Sequence, residues 1–541
     1  MRIVVWSNCL LAKRIVLNRV PLSWRAGLLR CLQKIMLCAA VASLSACVML
    51  PPLERSRPTV AMAPSPDSAL GQLAAHSLSS ADVSGFQILP ISYAAMAARI
   101  TLAERAQNTL DVQYYELAGD QTGRLFLRAL HDAAVRGVRV RLLLDDLHTV
   151  GEDALLSSLA ATPNLEIRLF NPFPAGRSSA LGRFVTSWYD LRRIDHRMHN
   201  KLFIADNTFA IMGGRNIAGE YFLRKPDHNF LDLDLLAAGS VVPDLSISFD
   251  EYWNSAYSFP IWSIVDAQVG GLSDRYFVEQ TEHLSSPKPT ESNPGMERYE
   301  SIGEDLKGRS IKLIEAPARV VADLAEKIDQ RANGDIEDTA RREFSALMAT
   351  AEHSVVGVTP YFIPGKEGMA HIAELRKRGV QVVVFTNSLA SNDDILAHIG
   401  YARYRRRLLH LGVELYELDP TVPFKRGRFG DFGASRAQLH AKLTVVDGKT
   451  LFIGSMNLDN RSANVNTEVA VIVDSPELCS EVTSLMDFGS AYSVRLTAHD
   501  DLQWVGSTMD YVETIDHDPN TSLGERVEVE LLNPIVPESL L

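Results

Sequence analysis

The sequence predicts an α/β fold of two similar lobes, each a mixed, mainly parallel sheet flanked by helices, sharing one active site at the interface. Three observations predict it. A strand–helix–strand pattern occurs twice, a short motif of chemically active residues recurs without gaps, and the two copies fall in opposite halves of the 541-residue chain.

The chain opens with a segment laid out like an export signal. Arg25, Arg30 and Lys34 precede an apolar run from Ile35 to Leu44, and the small residues Ser45 and Ala46 follow. Leu44-Ser45-Ala46-Cys47 resembles a bacterial lipobox. That resemblance implies a lipoprotein signal over residues 1–46, lipidation at Cys47 and a periplasm-facing place in the bacterial cell envelope. Val48, where an Asp would signal retention, points to the outer membrane over the inner one. Residues 28–50 are also apolar enough for an uncleaved anchor. Residues 47–85 carry Pro51, Pro52, Pro58, Pro64 and Pro66 among Ser and Ala, and read as an extended tether.

Lobe 1 is expected over 86–310. Thr109–Tyr115 reads as a strand, Gly123–Val135 as a helix, and Arg136–Leu144 as a glycine turn followed by a buried strand. Residues 263–310, with Ser285-Ser286-Pro287 and Asn293-Pro294-Gly295, read as the interlobe connection. Lobe 2 is expected over 311–495. There Ser354–Tyr361, Gly368–Lys377 and Arg378–Phe385 repeat the pattern. Each unit is a βαβ crossover, which demands parallel pairing of its two strands. Arg403, Arg405, Arg406 and Arg407 read as a helix face. Residues 496–541 form an acidic C-terminal tail with no assigned place.

The recurring motif is His199-Asn200-Lys201 with Asp206 and Gly213-Gly214-Arg215-Asn216, then His440-Ala441-Lys442 with Asp447 and Gly454-Ser455-Met456-Asn457. Every marked residue recurs 241 positions later, as in His199 to His440 and Asn216 to Asn457. An apolar run follows each His, so His and Lys, two apart, project to one side. Asp206-Asn207 and Asp447-Gly448 are hairpin-turn signals. The glycines that end each returning strand permit close approach of a ligand or a neighbouring strand. Such a site offers cations and amides to phosphate oxygens and imidazoles for attack and proton transfer.

The pattern H-x-K-x4-D-x6-G-[GS]-x-N, present twice, resembles the phospholipase D superfamily. The wording of Arg197-Met198-His199-Asn200-Lys201, Gly213-Gly214-Arg215-Asn216-Ile217, Phe230-Leu231-Asp232-Leu233-Asp234 and Pro537-Glu538-Ser539-Leu540-Leu541 is similar to the bacterial cardiolipin synthase C subfamily. The resemblance implies two phospholipase D-like lobes and a covalent phosphatidyl-histidine, with His199 as nucleophile and His440 as acid/base. It implies a phosphate cradle of Lys201, Asn216, Lys442, Ser455 and Asn457, with no cofactor and no metal. It also implies carboxylates that reach the His of the opposite lobe; Glu468 and Asp232 hold the matching places, and Asp232 is preferred to Asp234. Asp206 and Asp447 belong to the motif, although their spacing suits fixing the turn better than touching substrate.

The expected reaction is transfer of a phosphatidyl group onto phosphatidylglycerol, with phosphatidylethanolamine as a second donor, giving cardiolipin. Hydrolysis to phosphatidic acid passes through the same intermediate, and a superfamily nuclease uses the same motif. Charge argues against the nuclease. The whole chain has 54 basic and 66 acidic residues, and residues 1–46 hold seven of the basic and none of the acidic ones. The remainder has a net charge of −19, poorly suited to the counterion release on which nucleic-acid affinity rests. Of five cysteines, four precede residue 48, so they supply neither a disulfide framework nor metal-ligand spacing to the body. Arg192, Arg193 and Arg197 with Phe184, Trp188 and Tyr189, and Lys425, Arg426, Arg428 and Arg436 with Phe424, Phe429 and Phe432, suit a rim facing a membrane surface.

Overall fold

A computed structural model describes residues 50–52, 58–284, 296–329, 340–421, 435–486, 491–507 and 512–537. The leader, Cys47 and the basic-aromatic stretch from Phe424 to Phe432 lie outside them.

In lobe 1, helix α1 (Ala69–Ser77) precedes strand β1 (Ser84–Leu89), helix α2 (Ser92–Arg105) and strand β2 (Thr109–Tyr114). Helix α3 (Gln121–Val135) then leads into β3 (Arg139–Asp145) and β4 (Leu165–Phe170). Asp120 caps α3 by accepting from the N–H groups of Thr122 and Gly123, and Gly137 turns the chain at its far end with φ 100°. The motif hairpin follows as β5 (Leu202–Ala205) and β6 (Phe209–Gly213), then β7 (His228–Leu231), β8 (Asp234–Gly239), helix α4 (Val241–Trp253), β9 (Ser258–Pro260) and β10 (Ile314–Glu315). The sheet order is β10-β1-β8-β6-β5-β2-β3-β4-β9.

Lobe 2 contributes β11 (Ala318–Ala322), β12 (Ser354–Val358), helix α5 (Gly365–Lys377), β13 (Gln381–Asn387) and β14 (Glu414–Leu418). Its motif region is β15 (Arg436–Leu439), β16 (Leu443–Val446), β17 (Thr450–Gly454) and β18 (Val469–Asp474). Strands β19 (Ala491–Leu496), β20 (Leu502–Ser507) and β21 (Val512–Ile515) complete the order β11-β18-β17-β16-β12-β13-β14-β19-β20-β21.

Two mixed α/β lobes are as the sequence predicts, and both βαβ units pair in parallel, β2 with β3 and β12 with β13. The balance within the sheets differs from expectation. Beyond β3–β4 and β13–β14, the other pairings within the two large sheets are antiparallel. Tight hairpins at Asp206-Asn207 and Asp447-Gly448 reverse the chain within a few residues, which forces antiparallel neighbours on that half of each sheet.

Both chain ends differ from their predicted state. The tether is docked from Pro58 onward: Thr59 accepts from Arg141 and Trp253, Ala61 N–H donates to Asp250, and Leu70 and Leu73 of α1 are buried. The stretch expected as a tail extends the second sheet through β20 and β21. Trp504 is buried there and donates to Glu417, which also receives Tyr401 and Arg405. Arg405 therefore leaves the predicted helix face for an internal ion network with Glu417 and Asp518, while Arg406 remains exposed. Pro/Ser/Ala composition concealed the docking of the first segment and acidic composition that of the second, because a few buried anchors outweigh many exposed polar residues.

One apolar core crosses the lobe boundary. Leu110, Val112 and Ile211 of lobe 1 join Leu443, Val445, Ile453 and Val471 of lobe 2 in it, while Val355, Val382, Val384 and Phe452 form a second core on the outer face of the second sheet.

Candidate active site

Each His-x-Lys segment lies on extended chain just before its motif strand, and the opposite lobe holds its backbone. His199 N–H donates to Thr467 C=O (2.9 Å), and Thr467 N–H donates to Arg197 C=O (2.9 Å). Reciprocally, His440 N–H donates to Leu231 C=O (2.7 Å), and β15 pairs in parallel with β7 across the boundary. The residue after each acceptor is a carboxylate, Glu468 or Asp232. Crossing the backbones thus places each acid beside the other lobe's imidazole.

The contacts are short. His199 Nδ1 lies 3.1 and 3.0 Å from the Glu468 oxygens, and His440 Nδ1 lies 2.6 Å from Asp232 Oδ2. Both acids are fully buried. Buried Asp323 accepts from the Glu468 N–H, and Arg215 donates to the backbone carbonyl of Asp232. Upstream, Asp145 pairs with Arg197 and accepts from Met198 N–H, which fixes the approach to His199.

The lysines fold back on their own motifs. Lys201 Nζ donates to His199 C=O (2.8 Å), and Lys442 Nζ donates to His440 C=O (2.6 Å) while standing 3.0 Å from His440 Nδ1. Tyr115 packs edge-on to His199, and Tyr221 edge-on to His440, with the Tyr221 hydroxyl 3.5 Å from His440 Nε2. The two tyrosines were not singled out from sequence. Tyr115 just follows β2, where α/β sheets present ligand-binding residues, and that signal could have found it.

Burial sets the charges. Loss of solvent pushes His199 down to about 4, against the opposing pull of Glu468, and holds His440 well below the ordinary imidazole value, helped by Lys442 and Lys201. Both imidazoles are therefore neutral near pH 7. The same desolvation lowers Lys201 to about 7 and Lys442 to about 8. The two carboxyls diverge. Burial raises Asp232, whereas His199, Lys201 and Ser455 overcome burial and hold Glu468 below its usual range.

Several predicted site residues have other work. Ser455 Oγ donates to Glu468 (2.5 Å) and accepts from Val469 N–H, so it positions the acid and its donor is not free for phosphate. A Cβ at Gly214, the matching place, would lie 2.2 Å from an Asp232 oxygen, so glycine makes room for the other acid. Asn216 donates to Tyr221 (2.8 Å) and accepts from Glu116 N–H, whereas buried Asn457 Oδ1 has no partner among the described residues. Asp206 accepts from the N–H groups of Gln107, Asn108 and Thr109, and Asp447 from those of Glu352, His353 and Ser354. Each lies five positions along extended chain, roughly 17 Å, from its Lys. They clamp the hairpin to the neighbouring strand. Among the described residues no group of three His, Cys, Asp or Glu could hold a metal.

Two duplicated half-sites joined by crossed His–carboxylate pairs, with buried cations alongside, define an enzyme of the phosphodiester-transferring class. The chain belongs to the phospholipase D superfamily: the family model described as cardiolipin synthase, PLD-like domain, matches residues 100–253 and 344–487. Cardiolipin synthase C of Escherichia coli is 37% identical over 460 residues, covering 83% of this chain and 94% of that protein. An uncharacterized protein of Helicobacter pylori is 32% identical, covering 73% and 77%. The crystal structure of a Haemophilus influenzae phosphatidylserine synthase shares the fold with a TM-score of 0.54 at 13% identity, covering 87% of this chain and 98% of that one. The chain is thus a phospholipase D-like phospholipid phosphatidyltransferase.

The expected outer-membrane place is corrected by this relationship to an inner-membrane enzyme, and the lipidation expected at Cys47 lies outside the described residues. Among the described residues no helix is long and apolar enough to cross a membrane.

Glu468→Gln should lower kcat by roughly 10²- to 10⁴-fold in a folded enzyme, because the amide no longer holds the His199 tautomer. Asp206→Ala should instead lower unfolding free energy by about 2–3 kcal/mol by orphaning buried N–H groups, with kcat of the folded fraction preserved. Chemical denaturation beside steady-state rates separates the two; equal loss of kcat in both would contradict the assignment. The pH dependence follows from the lysines. Their ammonium form neutralises phosphate, so kcat/KM should fall as pH rises through about 7 to 8, where Lys201 and Lys442 deprotonate. A profile flat to about pH 9 would show that these cations do not carry the charge.

Proposed function

We propose that the enzyme forms cardiolipin, moving a phosphatidyl group from phosphatidylglycerol or phosphatidylethanolamine onto a hydroxyl of phosphatidylglycerol. The crossed pairing of His199 with Glu468 and of His440 with Asp232 carries the reading, because it makes the two imidazoles unequal. Glu468, kept anionic, accepts a hydrogen bond from His199 Nδ1–H and leaves the Nε2 lone pair free. That nitrogen has no hydrogen-bond partner among the described residues, and it attacks phosphorus. His440 Nδ1 meets both the Lys442 ammonium and Asp232, so Nε2 carries the proton needed by a leaving group. The names of the family model and of the Escherichia coli relative favour the same product.

In the first step a P–N bond to His199 forms while the P–O bond to the headgroup breaks, and the departing alkoxide takes the proton from His440. In the second, His440 removes a proton from the incoming hydroxyl, whose oxygen forms a new P–O bond as the P–N bond breaks. Lys201, Lys442 and Asn457 hold the phosphoryl oxygens throughout. Expression in a cardiolipin-deficient bacterium, followed by lipid mass spectrometry, should show cardiolipin with the native chain and none with His199→Ala. Phosphatidic acid without cardiolipin would replace transfer with hydrolysis.

A membrane-contacting rim accompanies this reading. Leu181 is 75% exposed and Trp188 51%, and Phe184, Val185 and Leu191 are exposed beside Arg192. Arg197, expected on the rim, is instead buried against Asp145. Exposed apolar side chains next to a cation suit an anionic lipid surface. The double variant Leu181→Ala/Trp188→Ala should reduce turnover of phosphatidylglycerol/phosphatidylethanolamine vesicles about fivefold or more and spare a short-chain soluble phosphatidylglycerol. Equal rates on vesicles would remove the rim from the mechanism.

A further inference from the structure

The two lobes differ on their outer faces in a way the catalytic motif does not require. In lobe 1 the short turn Gly219–Phe222 packs against both α2 and α3. Tyr221 and Phe222 are buried there, Phe222 beneath Arg99 of α2 and Tyr221 against Phe230 and His440. The counterpart turn in lobe 2 is Asn460–Asn464. Ser462 and Ala463 stand 241 residues after Tyr221 and Phe222, in register with the motif. Two aromatic rings are thus replaced by a hydroxymethyl and a methyl group.

A cavity of about 500 Å³ lies at this point, between α5, the helix Ala340–Ala349 and the outer face of the sheet. Phe344, Met348, Phe362, Ile372, Met456 and Leu458 make most of its wall apolar. One end belongs to the catalytic motif. Asn457, the cradle residue with an unpaired and buried Oδ1, is on the wall, as is Thr444, two residues beyond Lys442 and on the same side of the strand. The other end carries Arg341 paired with Glu367. The volume is within the roughly 300–1,000 Å³ of sites that enclose small ligands.

We propose that this cavity binds one acyl chain of the phospholipid whose phosphate sits between His199 and His440. The inference rests on the phospholipid chemistry of that site. An apolar chamber starting at a phosphate-cradle residue suits the part of the substrate that follows the phosphate, the glycerol and its hydrocarbon chain. The cationic side chains on the wall, Arg341 paired with Glu367 and exposed Lys366, are few beside its apolar lining, which suits hydrocarbon better than a headgroup or free phosphate. The site is confined to lobe 2, so it receives one of the two lipids and distinguishes it from the other.

The test uses the full chain in mixed micelles with a phosphatidylglycerol bearing a photoreactive diazirine at an acyl terminus. Cross-linked peptides should come from residues 340–372 and 456–464. Labelling confined to lobe 1, or absent from those segments, overturns the proposal. Independently, Ala463→Phe restores the ring that lobe 1 carries. It should lower kcat/KM for a dioleoyl substrate about tenfold or more and leave a dihexanoyl substrate near its native rate. A variant that turns over the short-chain lipid normally and keeps its full long-chain rate also overturns the proposal. If Ala463→Phe turns over neither lipid, the cross-linking pattern decides. Failure of the native chain to turn over any phospholipid would count against the reaction itself, whereas the labelling pattern reports on the cavity alone.

Discussion

The structure depends on the exchange of backbone hydrogen bonds between the two His-x-Lys segments and the opposite lobe. His199 is bound to Thr467 and His440 to Leu231, so neither half-site is complete within its own lobe. The consequence is chemical. An imidazole is a useful nucleophile only when its second nitrogen is held in one protonation state, and the carboxylate that does this comes from the other half of the chain. The shared core that joins the inner faces of the sheets serves the same end, because a shift between lobes would separate each acid from its partner.

Burial gives the site its electrostatic character. Two imidazoles, two ammonium groups and two carboxyls are gathered away from solvent, and each responds by moving from its ordinary proton affinity. The site thereby keeps its histidines neutral and its lysines near their titration points. An entering phosphodiester supplies the negative charge that stabilises the ammonium forms. Ser455 and Gly214 adjust the two carboxyls differently, one by donating to Glu468 and the other by leaving space for Asp232. Near-symmetry of sequence thus yields two histidines in unequal surroundings.

Duplication also leaves room for divergence outside the motif. Lobe 1 places two aromatic rings behind its motif, Phe222 beneath Arg99 and Tyr221 at the edge of His440. Lobe 2 keeps small residues at the matching positions and retains an open apolar chamber. A transfer reaction between two lipids has use for such a difference, since donor and acceptor must be held in distinguishable places.

Much of this was legible in the sequence. The gap-free repeat at 241 residues marked the two histidines and lysines, because strand alternation and hairpin turns are local properties carried by a few adjacent residues. Glu468 and Asp232 were reachable only through resemblance, since their spacing from the motif differs between halves. Other features were beyond local pattern. The largely antiparallel balance of the sheets, the docking of Thr59 and the burial of Trp504 depend on partners far away in the chain. The sequence by itself determined which side chains carry the chemistry and that they come in two copies. Only the tertiary structure decided which acid serves which histidine, that Ser455 serves Glu468, and which lobe stays open. Those outcomes depend on long-range backbone pairing and on the volume left between packed elements, and neither is written in any single stretch of residues.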